Sequence, residues 1–422
     1  MIARASAELE SVASSQRKVR NASNVGYGVG FELAALHNVI KFSVVPLRLE
    51  KHSACHRRSL WLTILLKQDP DSVEEVPKIV KQPGRSDWAA LYQAAITFKE
   101  TAPWEWMDNE DLFAVENPDD GEVGYCSVLG AGGEEFGLGM FVGEEGYHRY
   151  KNLISEEVDS DDDLEESIMT RGISMLLVDR GVLQKEDHEI IRSLGLRFRG
   201  RNAWPSFRSQ RPGYVPWFLE ENEVRFLTAA LHQALAVANE VRDGTLDIRA
   251  PQRENLVLTR CYRGGRWLGE WQRTPAPSQQ SEETADGIDA VKEAELHLLS
   301  RAPKVSETWE IDIFILPIPI GSVSEAPHFP SCFLLVERKL GLIIGTNLTE
   351  PWLTVAEKQD EVIQILKKVK QIPSEIRVKT NKVKRIVEPI TSILGIKLRV
   401  GSLPMLERAK ASLYEHSSRR YT

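Results

Sequence analysis

Between Ile190 and Leu219 the chain sets six arginines, Arg192, Arg197, Arg199, Arg201, Arg208 and Arg211, among Phe198, Trp204, Phe207, Tyr214, Trp217 and Phe218. No acid falls between Glu189 and Glu220. Guanidinium groups neutralise phosphates and aromatic faces stack on exposed bases, which is the combination that single-stranded nucleic-acid binding uses. Arg197, Arg199, Arg201, Trp204, Arg208 and Arg211 are therefore the candidate nucleic-acid-binding residues. The same composition also describes a loop whose aromatics anchor a core and whose arginines pair with the acidic surface of residues 101–170. Both readings stay open on sequence alone.

Other residues carry weaker chemistry. Gly130-Ala131-Gly132-Gly133-Glu134-Glu135 has the glycine content of a phosphate loop. Such a loop needs a helix starting at its end so that amide dipoles face the phosphate, and here a strand pattern follows, which favours a hairpin turn. Cys126 and His148 are the residue types of a thiolate pair, but no third orienting group or oxyanion donor accompanies them. Cys55 lies between His52 and His56, yet the four cysteines, at 55, 126, 261 and 332, form no paired metal-ligand spacing. Asp159, Asp161 and Asp163 alternate like a calcium loop; Leu164 stands where the bend needs glycine, and Thr170 where the loop closes on glutamate. Neither a metal nor any other cofactor is expected.

The elements that position these residues read as follows. Ser86 opens a helix with Trp88, Leu91, Tyr92, Ala95 and Phe98 on one face. Strand patterns follow at 112–115, 124–129 and 136–142, a helix at 144–153, a strand at 173–178 and a short helix at 184–194. A long amphipathic helix covers 221–241, and a hairpin pairs 256–261 with 267–272 around Arg263-Gly264-Gly265. Residues 155–166 are an acidic linker, with eight acids among residues 156–166. Arg273–Gly287 loses apolar periodicity and is rich in Pro, Ser, Gln and Glu, the composition of an exposed linker. Beyond it come β-rich runs at 309–318, 332–337 and 341–347, then a helix at 354–370, a strand at 375–379, a helix at 381–394, a strand at 396–400 and a last helix from about Ser402. Thr354 and Glu357 have capping-box spacing, and Pro389 is expected to bend its helix rather than abolish it.

That C-terminal order resembles an RNase H-like domain, a fold that hosts nucleases and transposases. The resemblance implies two metal ions held by acids on the first strand, at the end of the fourth strand and on a late helix. Glu310 and Asp312 share one face of the first strand, and Glu407 lies on the last helix, but the fourth strand ends Arg377-Val378-Lys379-Thr380-Asn381 without a carboxylate. A wider similarity rests on Trp88, Leu91-Tyr92, Pro103-Trp104-Glu105-Trp106, Gly124-Tyr125-Cys126-Ser127-Val128-Leu129-Gly130 and Phe136-Gly137-Leu138. In the second half it rests on Trp309-Glu310, Phe329-Pro330, Pro373, Ile376-Arg377-Val378, Gly395-Ile396 and Leu403-Pro404. Over about residues 86–415 the chain resembles a family of microbial proteins that pairs two domains of unknown function. The resemblance implies boundaries and no reaction.

The chain has 422 residues with 42% hydrophobic composition, enough for more than one core. Its formal charge of −8 conceals an asymmetry. Residues 101–170 hold twenty acids against two bases, and residues 367–422 hold fourteen bases against four acids. Lys367, Lys368, Lys370, Arg377, Lys379, Lys382, Lys384 and Arg385 form a basic C-terminal face that either meets a polyanion or pairs with the acidic half. No apolar run approaches a membrane span, and the first 25 residues lack a signal-like core, so no membrane partner and a cytoplasmic location are expected.

The expected architecture is a poorly ordered extension over 1–85, an α+β module over 86–272, a linker over 273–300 and an α/β, RNase H-like module over 301–422. The expected role is a non-catalytic intracellular binding or scaffolding protein with nucleic acid or another protein as partner. The alternative is a metal-dependent, nuclease-like hydrolase on the RNase H-like scaffold. Oligomeric state is not legible.

Overall fold

The computed structural model describes residues 83–154, 165, 167–276, 288–321 and 326–419. The expectations for residues 1–82, for the metal-like Cys55 cluster, for the acidic run 155–164 and for most of the 273–287 linker fall outside the described residues.

Helix α1 (Arg85–Thr101) starts where the Asp87 carboxylate accepts the Gly84 amide at 3.0 Å, and it stops at Ala102, which turns left-handed with φ 52°. Its apolar face buries Leu91, Tyr92, Ala95 and Phe98, as the spacing predicts. Strands β1 (Phe113–Glu116), β2 (Val123–Leu129) and β3 (Phe136–Val142) follow, then α2 (Gly143–Ile154), β4 (Gly172–Val178), α3 (Lys185–Ser193) and β5 (Trp204–Gln210). Helix α4 (Glu221–Arg242) and the hairpin of β6 (Leu256–Arg263) and β7 (Arg266–Arg273) complete a seven-stranded sheet of order β5-β4-β3-β2-β1-β6-β7. All pairs are antiparallel except β1 with β6.

The α4 residues Val224, Leu227, Ala230 and Leu231 are fully buried in the core of this sheet. The glycine segment 130–133 is a turn between antiparallel strands, closed by the Gly133 amide on the Gly130 carbonyl at 2.9 Å. At Gly130, with φ 136°, a Cβ would fall 2.7 Å from the Trp104 side chain. The glycine is there for close approach, and no phosphate cradle forms.

Strand β5 was not expected. Its residues read as irregular chain because arginines and aromatics interrupt any alternation. Pairing with β4 imposes the strand, in a register running from Val178↔Trp204 to Gly172↔Gln210. A second difference is α5 (Ala290–Leu299), capped by Asp289, whose Oδ1 accepts the Val291 and Lys292 amides. It lies inside the stretch read as linker to residue 300. Only Leu296 of this helix is fully buried, so no apolar stripe marks it.

The second sheet contains β8 (Lys304–Ile315), β9 (Ser331–Glu337), β10 (Ile343–Thr349), β11 (Ile372–Val378) and β12 (Lys397–Val400), in the order β10-β9-β8-β11-β12. The first three strands form an antiparallel meander, and β11 and β12 run parallel to β8. This order, with helices between the later strands, is the RNase H-like topology. One face packs on α5, α6 (Val355–Val369) and α7 (Asn381–Leu394) through Trp309, Ile311, Ile363, Leu366, Ile376, Val387 and Ile390. The other face meets α8 (Pro404–Arg419) through Phe314, Leu334, Val336, Leu403 and Leu406. The capping box forms as predicted, with the Thr354 amide on Glu357 Oε2 at 2.8 Å and the Glu357 amide on Thr354 Oγ1 at 3.3 Å. Helix α7 runs continuously through Pro389.

The two sheets meet at a small junction. Val215 donates to the Pro327 carbonyl at 2.9 Å, and Phe329 donates to that of Gly213 at 2.8 Å. Ile168, Val215, Ile315 and Phe329 form a buried cluster there, and Tyr214 stacks on Trp352 with centroids 4.8 Å apart and planes 11° apart. Gly213 has φ 81°, and a Cβ on it would lie 2.4 Å from Pro351 Cγ, so no other residue fits there without moving one module. Among the described residues no helix is long and apolar enough to cross a membrane.

Candidate functional site

The acids of the RNase H-like module come first, because the fold brings them together. Glu310 sits mid-strand in β8 with no exposed surface. Its Oε1 accepts Arg338 Nη1 at 2.5 Å, and its Oε2 accepts the amides of Met405 at 2.9 Å and Leu406 at 2.8 Å. These are first-turn amides of α8, so a carboxylate from another element satisfies the helix end and its dipole. Two residues on, Asp312 meets Lys410 Nζ at 3.2 Å, and that ammonium lies 4.2 Å from the Phe314 ring centroid. Burial pushes the Asp312 carboxyl up, and Lys410 pulls it partly back. Glu407 pairs with Lys379 at 3.0 Å, just past the end of β11.

Each acid that the fold could offer a metal thus faces a cation from the same chain: Arg338, Lys410 or Lys379. A two-metal displacement needs carboxylates that clamp both ions, and these carboxylates instead tie α8 to the sheet. Among the described residues no group of three or more His, Cys, Asp or Glu side chains is placed to hold a metal. Cys126 is not presented to solvent. It is wholly buried on β2, burial pushes its thiol up, and its Sγ lies 3.7 Å from the Gly124 carbonyl.

The arginine run divides into two populations. Arg208 was expected on a binding surface, and it is buried on β5. Its Nη1 and Nη2 donate to Asp187 at 3.0 and 2.7 Å, Nη1 also reaches the Phe207 carbonyl, and the guanidinium lies 5.0 Å from the Phe218 ring centroid. A fork on a carboxylate in a desolvated position is an internal tie. Arg211, 36% exposed, pairs with Glu220 at 3.3 Å and lies over the Tyr214 ring at 5.0 Å, beside the junction. Neither partner comes from residues 101–170.

Arg197, Arg199 and Arg201, by contrast, are exposed on the loop between α3 and β5 and make no ion pair among the described residues; Arg192 at the end of α3 is similar. The backbone beneath them is held by the Asn202 amide on Asp179 Oδ1 at 2.8 Å. Trp204 is half-buried, 5.6 Å from Phe198, which in turn stacks on Tyr92. The aromatics back the loop from inside. Two cations that sequence reading missed flank it: the Arg180 guanidinium, 5.9 Å from the Trp204 ring centroid, and Lys99, whose Nζ is 3.5 Å from the Ala203 carbonyl. They come from distant segments, and no local pattern announces them.

The basic C-terminal face is largely neutralised. Lys367 pairs with Glu295, Lys384 with Glu388, Arg377 with Glu375 and Lys382 with Glu165. Lys368 and Lys370 remain exposed.

Two family models match the chain. A domain of unknown function (DUF7309) covers residues 88–260, and a second domain of unknown function (DUF6930) covers residues 295–414. No curated protein matches. Among solved structures, the HTLV-2 integrase catalytic core domain in complex with magnesium (dimeric form) is similar at 12% identity, over 28% of this chain and 73% of that chain, with a TM-score of 0.20. The chain thus carries one domain of unknown function in each of its two sheet-containing modules, DUF7309 in the first and DUF6930 in the second.

Proposed function

We propose that this protein is a non-catalytic binding protein, with its RNase H-like module serving as scaffold and the loop at Arg197, Arg199 and Arg201 contacting a nucleic-acid strand. The observation that carries the non-catalytic reading is the pairing of Glu310, Asp312 and Glu407 with Arg338, Lys410 and Lys379. The observation that favours a polyanion is a pinned loop of unpaired guanidiniums beside Arg180 and Lys99. Arginine is suited to phosphate because its planar fork is always charged.

The test is retention on single-stranded DNA and RNA as salt is varied. Replacing Arg197, Arg199 and Arg201 by alanine is expected to reduce the log–log salt slope by roughly 0.7 for each phosphate that is no longer neutralised. Absence of binding at low salt overturns the nucleic-acid partner. Cleavage that depends on added Mg²⁺ or Mn²⁺ and disappears in Glu310→Gln overturns the non-catalytic reading.

A further inference from the structure

We propose that the outer hairpin of the first sheet, β6 with β7, is a surface on which the bases of a single-stranded nucleic acid stack. This rests on the nucleic-acid reading above and says where the bases go, since the aromatics behind the arginine loop pack inward. Side chains directly opposite each other in an antiparallel pair share a face. The register Tyr262↔Trp267, Arg260↔Gly269 and Leu258↔Trp271 therefore puts Tyr262, Arg260, Trp267 and Trp271 together. It is the face that Glu240 of α4 reaches to pair with Arg260. Strand β7 ends the sheet, and the rings near it stay open: Tyr262 is 42% and Trp271 39% exposed. Trp267 is half-buried, its ring 5.3 Å from that of Tyr262.

The arrangement of the rings argues for bases. A docking helix fills a continuous apolar groove, whereas Trp267 and Trp271 stand four residues apart on one strand, roughly 13 Å, with bare backbone at Gly269 between them. A Cβ on Gly269 would fall 3.1 Å from Arg260 Nη1, so the guanidinium lies against that backbone between the two indoles. Its Nη2 donates to Glu240, and its Nε is buried without an acceptor. A flat ring with hydrogen-bond acceptors on its edge meets both the indole faces and the guanidinium, and a nucleobase is such a ring. The charge agrees. Between Leu256 and Arg273 stand four arginines and one acid, and that acid, Glu270, lies on the opposite face beside Gln272. Arg263 is taken by Glu116. Arg266 and Arg273, at the two ends of β7, are exposed and make no ion pair among the described residues, which leaves them to phosphates.

Fluorescence anisotropy of a labelled single-stranded oligonucleotide titrated with the full chain tests this surface. Trp271→Ala and Tyr262→Ala should each weaken binding about tenfold, the loss of one stacked base, with the salt slope unchanged because no phosphate contact is removed. Both side chains are open to solvent, so each variant should keep the parent's thermal midpoint. Trp271→Phe, which retains a ring, should keep most of the affinity. An abasic sugar-phosphate oligomer should bind the parent and Trp271→Ala alike, yet still respond to alanine at Arg197, Arg199 and Arg201. Binding that depends on those three arginines but ignores Trp271→Ala and Tyr262→Ala overturns this surface and leaves the arginine loop standing. No binding at low salt overturns both. Self-association of the free protein that Trp271→Ala abolishes would make a second copy the occupant of the face, and that too overturns the proposal.

Discussion

Removing the Arg208 guanidinium would leave the Asp187 carboxylate buried without its counter-ion, the situation in which breaking an internal ion pair costs most. Arg208→Ala is therefore expected to destabilise the protein by about 3–5 kcal/mol, read from chemical denaturation, whereas Arg199→Ala with Arg201→Ala should stay within about 0.5 kcal/mol. In the sequence these arginines look alike. What separates them is Asp187, on a different helix, and the pairing of β5 with β4; both are long-range facts that spacing does not encode. A second prediction concerns Glu135, whose carboxyl burial and the neighbouring Glu134 push up to about 7 from a usual 4.5. Because the folded state holds this proton more tightly than the unfolded chain, the favourable contribution is complete below about 4.5 and is lost as pH rises through about 7. Glu135→Gln should thus gain stability relative to the parent between pH 5 and pH 8; equal denaturation midpoints at both pH values would contradict the assignment.

The start of α8 rests on a side chain from another element. Its first-turn amides at Met405 and Leu406 end on Glu310, so Glu310→Gln should cost about 1.5–3 kcal/mol, the range for charged hydrogen bonds. Hydrogen exchange at those two amides should accelerate before exchange elsewhere in the helix does. Unchanged protection there would show that the helix end does not need the carboxylate. Helices α6 and α7 were legible because a capping box and a regular apolar stripe are local signals, visible at Thr354, Glu357, Val383, Ile386, Val387 and Ile390. Helix α5 was not, since one buried leucine makes no stripe. The carboxylate positions were legible too, but their partners were not: Arg338 arrives from the turn after β9 and Lys410 from α8, each brought in by tertiary packing.

For the whole molecule, the sequence left two readings of the basic C-terminal face, a polyanion partner or pairing with the acidic half. Among the described residues, five acids of residues 101–170 are instead answered within the first module: Asp108 and Asp111 by Arg249, Glu116 by Arg263, Asp119 by Arg225 and Glu122 by Arg171. The Lys382–Glu165 pair crosses between the two sheets. Cohesion between the modules rests more on the Tyr214–Trp352 stack and the cluster around Val215 and Phe329. Trp352→Ala should accordingly split one calorimetric unfolding transition into two, with the midpoint of each sheet's own unfolding little changed. A single transition that merely moves to lower temperature would mean that the modules unfold as one unit by other contacts.

The tight fit of Gly213 against Pro351 holds the arginine loop's module close against the second sheet's module. A polyanion that touches both this loop and the exposed Lys368 and Lys370 of the second module would gain avidity from the effective concentration that this fixed spacing sets. Gly213→Ala would then behave as a change in geometry rather than in affinity. A short oligonucleotide that reaches the loop alone should bind it as tightly as the parent, while a long one should lose its advantage, and comparing the two lengths by titration reads that difference directly.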